Sequence, residues 1–280
     1  MSSQHAVEIR SGERFAFGDN WARFLRLLDD TRIHRAETSL QSMLEVQNLN
    51  GRTFLDIGSG SGLFSLAARR LGATVHSFDY DPQSVACTSE LKRRFFPDDP
   101  NWKVESGSVL DREYLDTLGR WDIVYSWGVL HHTGAMWQAL ENVAPLVAPD
   151  GTLYIAIYND QGGGSRRWLA LKKGYNRLPR ALKPVYATLV LGTREAGFLA
   201  RATVRGKPWS FIDRRRNYSR NSARGMSCRH DFIDWIGGYP FEVAKPEAIF
   251  SFYRDRGFVL RQLKTAGGGI ACNEFVFRRQ

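Results

Sequence analysis

The chain has 280 residues, 43% hydrophobic and 24% charged, with a net charge of +10, the mixture of a folded domain rather than of general disorder. No apolar run approaches the roughly 18 residues that span a bilayer, and Met1-Ser2-Ser3-Gln4-His5 has no apolar leader core, so neither stable membrane insertion nor secretion is expected. Cys87, Cys228 and Cys272 lie far apart without a CxxC pair, which fits reduced thiols in a cytoplasmic setting and offers no metal-ligand spacing.

From Trp21 to Val46 apolar residues recur near helical spacing, predicting one or two amphipathic helices before the first strand. Thr53 to Ile57 reads as a short strand stopped by glycines, and Leu63 to Leu71 as a helix closed by Gly72. Thr74 to Phe78 is a second strand. Asp81-Pro82 supplies an N-cap and a first-turn proline for a helix that Pro97 ends. Trp102 to Glu105 and Asp122 to Ser126 are the third and fourth strands. Thr133 is the expected cap of a helix whose Met136, Leu140, Val143 and Val147 share a face; Asp150-Gly151 then turns the chain into a fifth strand, Thr152 to Tyr158. Strands alternating with helices call for a mostly parallel, doubly wound α/β sheet.

After Tyr158 the pattern breaks. Gly162-Gly163-Gly164, Pro179, Pro184, Gly206 and Pro208 punctuate a stretch with only local helical signals. Residues 159–235 hold 17 Lys/Arg against 5 Asp/Glu, while the remainder is nearly balanced, so the basicity belongs to one segment. Order returns with a helix from Pro246, then strands at Phe258 to Thr265 and Asn273 to Arg278 in a hairpin-like ending. Four parts follow: 1–50, an N-terminal helical segment; 51–158, a core of alternating strands and helices; 159–245, a basic cap inserted between strands five and six; and 246–280, a helix and hairpin completing the core sheet.

The chemistry begins at Asp56-Ile57-Gly58-Ser59-Gly60-Ser61-Gly62, where a strand runs directly into a helix. Glycines there let the backbone turn sharply and approach a ligand. Dinucleotide enzymes also place a glycine loop after the first strand, but their spacing needs a third glycine at position 63, which is Leu63. Asp79 ends the second strand, where a carboxylate can accept both hydroxyls of a ribose diol. With Gly107-Ser108-Val109-Leu110-Asp111, Trp121-Asp122-Ile123-Val124, Val129-Leu130-His131-His132 and Leu146-Val147-Ala148-Pro149-Asp150-Gly151, these motifs resemble class I S-adenosylmethionine-dependent methyltransferases. The bacterial group similar to the ubiquinone-biosynthesis O-methyltransferase is nearest in pattern, from about Phe54 to Ile157. The resemblance implies a Rossmann-like seven-stranded methyltransferase sheet with an antiparallel last strand. It further implies S-adenosyl-L-methionine held by Asp56, Gly58, Ser59, Gly60, Gly62, Asp79, Tyr80, Ser108, Val109, Ser126, Trp127 and Trp21. Phe15 and Phe17 join Trp21 as lid candidates.

Methyl transfer from a sulfonium is an in-line displacement, so the protein must align the acceptor, exclude water and, for a hydroxyl, accept a proton. His131 and His132 follow the fourth strand at the ligand-binding end, and adjacent residues point in different directions, so one of them is the expected base. His230 is a second candidate. The quinone-modifying relatives commonly carry an acid before the histidine that follows the fourth strand, where this chain has His131-His132, so substrate identity does not transfer; the reaction class does. The expected function is O-methylation of a small molecule or glycan. An anionic acceptor is in view because arginines alternate with aromatics in the insertion (Arg166, Arg167, Trp168, Arg214, Arg215, Arg216). Two rivals stand beside it. One is an RNA methyltransferase using the basic segment, against which Ser126-Trp127-Gly128-Val129 replaces the Asn/Asp-Pro-Pro-aromatic motif of amino-group methylation. The other is a non-catalytic S-adenosylmethionine-binding module.

Overall fold

Parallel strands become central when they are apolar on both faces, and Phe54, Leu55 and Ile57 are all fully buried. They belong to β1 (Thr53–Ile57), followed by β2 (Thr74–Asp79), β3 (Trp102–Ser106), β4 (Trp121–Trp127) and β5 (Val147–Tyr158), with β6 (Phe258–Lys264) and β7 (Cys272–Arg279) ending the chain. The computed structural model describes all residues except 1, 208, 217–227 and 268–270. One seven-stranded sheet runs β3-β2-β1-β4-β5-β7-β6, parallel up to β5, with β7 antiparallel to both β5 and β6.

Helices cover both faces. On one side α3 (Asp30–Leu44), α4 (Leu63–Arg70) and α5 (Pro82–Phe95) bury Ile33, Leu40, Leu66 and Leu91 against Phe54, Trp102 and Tyr125. On the other, α7 (Met136–Val143) and α12 (Pro246–Arg254) bury Leu140, Val143, Ile249 and Tyr253 against Leu55, Ile57, Val124 and Phe275. The short α6 (Arg112–Asp116) lies between β3 and β4. Local chemistry sets the boundaries. Gly72 takes φ 102 just past α4, and the Asp81 carboxylate accepts from Gln83 N–H to cap α5, with Pro82 in its first turn.

The structure departs from the sequence reading at several elements. Helix α7 stops at Val143 because Pro145 follows; Val147 is the first residue of β5 instead. Its N-cap position is Ala135, not Thr133, and its Met136 N–H is satisfied by Glu242, 106 residues away. Ahead of the predicted helices stands α1 (Ser2–Ser11), and the first of the predicted pair, α2 (Phe17–Phe24), begins before Trp21. Residues 159–245 are far more helical than predicted, with α8 (Gly163–Arg177), α9 (Lys183–Val204), α10 (Trp209–Arg216) and α11 (Cys228–Gly237). Tyr175, Phe232 and Ile236 form a separate small core there, joined by Tyr186, Ala187, Val190 and Leu191 of α9.

Candidate active site

β1 pairs with β2 on one side and β4 on the other, so the order reverses there and a crevice opens beyond the strands' C-terminal ends. It holds a cavity of about 630 Å³, the size of a small-molecule site. Gly58, Gly60 and Gly62 all have positive φ, 77°, 58° and 79°. A Cβ on Gly58 would stand 2.4 Å from Val129 Cγ1, and one on Gly60 would stand 3.0 Å from the Trp21 indole nitrogen. The loop is therefore bare backbone, closed in by Val129 and Trp21. Gly58→Ala combines a strained φ with that clash and is expected to lower stability by about 1–3 kcal/mol; a denaturant melt measures it.

Asp79 stands at the end of β2. Its Oδ2 accepts from Gly60 N–H at 2.9 Å and its Oδ1 from Asp81 N–H at 2.9 Å, fixing the carboxylate while leaving lone pairs toward the cavity. Burial pushes its pKa up to about 6 despite those two bonds. Asp56, at the end of β1, accepts from Ser65 Oγ and is pushed up to about 7 by burial, with the Asp79 charge adding to the shift.

Asp56, Gly58, Ser59, Gly60, Asp79, Tyr80, Ser108, Val109, Trp127, Trp21 and His132 all line this cavity, with Phe15 and Phe17. Three expected residues do not. Gly62 faces away, its α-carbon so near Thr88 that a Cβ would stand 2.9 Å from the Thr88 backbone. Ser126 is fully buried, and its Oγ donates to the Ile57 carbonyl at 3.0 Å, tying β4 to β1. His131 is fully buried too: its Nδ1 accepts from Tyr158 N–H at 3.3 Å and its ring packs 4.0 Å from the Tyr158 ring. By contrast, the His132 ring is at the wall beside Phe17, 4.9 Å away, with Nδ1 2.5 Å from the Pro240 carbonyl oxygen. A carbonyl can only accept, so in this contact Nδ1 carries the proton. His230 is in α11, but its side chain, like those of Asp231, Asp234, Arg214, Arg215 and Arg216, lies outside the described residues.

The sequence reading missed the N-terminal strap. Arg14 binds the Glu8 carboxylate at 2.6 Å, donates to the His132 carbonyl at 3.1 Å, and sits 4.9 Å from the Tyr80 ring centre. Tyr80 in turn donates to Glu8 at 3.2 Å. Burial alone would raise the Glu8 carboxyl, but these hydrogen bonds hold it below its ordinary value. The strap thus joins Tyr80 to His132. At the far end of the cavity stand Tyr158, Phe232, Trp235 and Arg194, again without a motif to announce them. Trp127 is held from behind: its indole donates to Glu274 at 3.1 Å, and Lys264 pairs with the same carboxylate at 3.1 Å.

A bare glycine loop, an acid closing the neighbouring strand and a crevice at the sheet's reversal point define an α/β enzyme that binds an adenosine-like group. Residues 27–189 match the family described as a methyltransferase domain. The chain belongs to that family of methyltransferase domains. The mitochondrial ubiquinone biosynthesis O-methyltransferase of Schizosaccharomyces pombe is 29% identical over 142 residues, 49% of this chain and 48% of that protein. The tRNA U34 carboxymethyltransferase of Klebsiella pneumoniae is 34% identical over 106 residues, 36% of this chain and 30% of that one. The chain thus spans about half or less of the curated relatives it matches. In fold it is similar to magnesium protoporphyrin IX methyltransferase of Synechocystis PCC 6803, solved with bound SAH, at TM-score 0.55 and 14% identity over 94% of each chain.

Proposed function

We propose that this methyltransferase acts on the oxygen of a small, flat acceptor carrying an anionic group, with His132 as general base. The observation that carries this reading is the His132 ring on the cavity wall, its Nδ1 proton committed to the Pro240 carbonyl. When bound, S-adenosylmethionine supplies a sulfonium-activated methyl group. The glycine loop and the Asp79 carboxylate suit its ribose, and Tyr80, Ser108 and Val109 line the neighbouring wall for its base. Trp21 and Trp127 flank the loop on the methionine side, where a ring face also attracts the sulfonium. His132 accepts the hydroxyl proton as the acceptor oxygen attacks the methyl carbon and the carbon–sulfur bond breaks.

For the acceptor, Phe15, Phe17, Tyr158, Phe232 and Trp235 offer flat apolar walls. Arg194 reaches the same space from α9, its guanidinium 5.4 Å from the Phe198 ring centre and 5.9 Å from that of Phe232. Among the described residues it forms no ion pair, so a carboxylate or phosphate on the acceptor suits it. On this reading residues 1–50 act as lid and 159–245 as acceptor-selecting cap. A panel of phenols, amines and thiols, assayed for methyl transfer by mass, tests the atom: hydroxyl acceptors should dominate, and turnover of amines alone would overturn the proposal. Arg194→Met should raise KM for an anionic acceptor by about 10- to 100-fold while leaving a neutral analogue unaffected. A long RNA acceptor would instead show a steep salt slope from many phosphate contacts.

A further inference from the structure

We infer that Glu274 biases the site toward S-adenosylmethionine over its uncharged demethylated product, acting through the Trp127 indole. Strand register sets the two in one row. Trp127 of β4 stands beside Ala156 of β5, Ala156 beside Glu274 of β7, and Glu274 beside Lys264 of β6. Ala156 is small and fully buried, so the indole reaches across it and donates to Glu274 Oε2 at 3.1 Å. The Tyr154 hydroxyl donates to the same oxygen at 2.5 Å, and Lys264 pairs with Oε1 at 3.1 Å. Three donors around one carboxylate, itself only 9% exposed, are the surroundings of an anion. The sheet thus keeps a negative charge directly behind a wall of the cavity, where the proposed methyl transfer does not use it.

Topology says which end of the cofactor that wall meets. The proposed adenosine contacts, Asp79, Tyr80, Ser108 and Val109, end or follow β2 and β3, on one side of β1. Trp127 and His132 line the cavity from β4, on the other side, so the methionine half points to them. Glu274 has its role only if that placement holds. S-adenosylmethionine carries a sulfonium there, and S-adenosylhomocysteine a neutral thioether. A ring face attracts the cation and has no such hold on the thioether. A carboxylate on the indole N–H pushes electron density into the ring. Its charge also acts directly, from two strand spacings or about 10 Å behind β4, a distance over which Coulomb attraction inside a protein still counts. Both effects favour the charged ligand, so Glu274 aids cofactor loading and product release.

Calorimetric titration of the full chain with S-adenosylmethionine and with S-adenosylhomocysteine gives the ratio of the two affinities. Asp56 and Asp79 stay in place throughout, so changes in that ratio isolate Glu274. Glu274→Gln keeps the shape and an acceptor for the two buried donors, while the exposed Lys264 is free to turn to solvent. It should lower the preference for S-adenosylmethionine by about threefold or more, nearly all of it in that ligand's Kd. Glu274→Asp keeps the charge and should hold the parent ratio. Trp127→Leu should lower the ratio by about 3- to 30-fold. Lys264→Met, at an exposed side chain that the fold does not need, strips the counter-charge and should raise it. Circular dichroism checks that each variant is folded. Equal weakening of both ligands in folded Glu274→Gln, an unchanged ratio there, or a lowered ratio in Lys264→Met would each overturn the inference. If Trp127→Leu shifts the ratio and Glu274→Gln does not, only the role of Glu274 falls. If neither shifts it, the placement of the sulfonium beside Trp127 falls as well.

Discussion

His132→Ala should lower kcat by about 10²–10⁴ for a hydroxyl acceptor while leaving S-adenosylmethionine affinity nearly unchanged. The expectation rests on direction. His132 lines the cavity with its proton on Nδ1, and the adjacent His131 spends its own Nδ1 lone pair on the Tyr158 N–H. His131→Ala should act differently. It strips the acceptor from a buried N–H, costing about 1–3 kcal/mol of stability, and changes turnover through the fold rather than through proton transfer. The two variants therefore separate in a thermal melt as well as in an assay. Acceptor acidity gives a second handle: the His132→Ala penalty should shrink along a phenol series as the hydroxyl becomes more acidic, because an oxygen already ionised needs no base. An equal penalty across the series would make His132 a positioning residue. Normal turnover in the variant would remove the base assignment altogether.

The core was legible wherever spacing is local. Asp56 to Gly62 encodes a strand end, a sharp turn and a helix start within seven residues, and Asp79 follows from the next strand's end. Which members of a motif face the ligand was less legible. Ser126 and Trp127 are adjacent on β4, so they point to opposite faces; Trp127 reaches the cavity, and Ser126 binds the Ile57 carbonyl. Contacts between distant segments left no trace at all. Tyr80 meets Glu8 across 72 residues and Met136 meets Glu242 across 106, and neither pair forms a motif. The helices of the insertion were obscured for two physical reasons. Pro184 was read as a breaker, but it occupies the first turn of α9, where its missing N–H costs nothing. And α9 is apolar on its packed side and on its outer side, so it lacks the single stripe by which an amphipathic helix announces itself.

Asp79→Ala should weaken S-adenosylmethionine binding by roughly 10- to 150-fold, the loss of charge-assisted bonds together worth about 1.5–3 kcal/mol. Its pH dependence is the sharper test. In the free protein burial holds Asp79 at about 6, above the ordinary carboxylate range. Ribose hydroxyls donate to the ionised form, so ligand binding lowers that pKa, and affinity is complete above about 6 and lost as pH falls through it. The expected slope approaches tenfold in Kd per pH unit on the acid side. Asp56 complicates the window, since burial pushes it to about 7. Asp79→Asn resolves the two: it keeps the shape and an acceptor oxygen but cannot titrate. If the acid-side loss of affinity disappears in Asp79→Asn, Asp79 is the group that reads the diol. If the loss persists and begins nearer 7, the proton is on Asp56, and the ribose assignment of Asp79 fails. Calorimetric titration of the parent and the asparagine variant from pH 5 to 8 distinguishes the outcomes, with S-adenosylhomocysteine as a second ligand because it shares the diol but lacks the sulfonium charge.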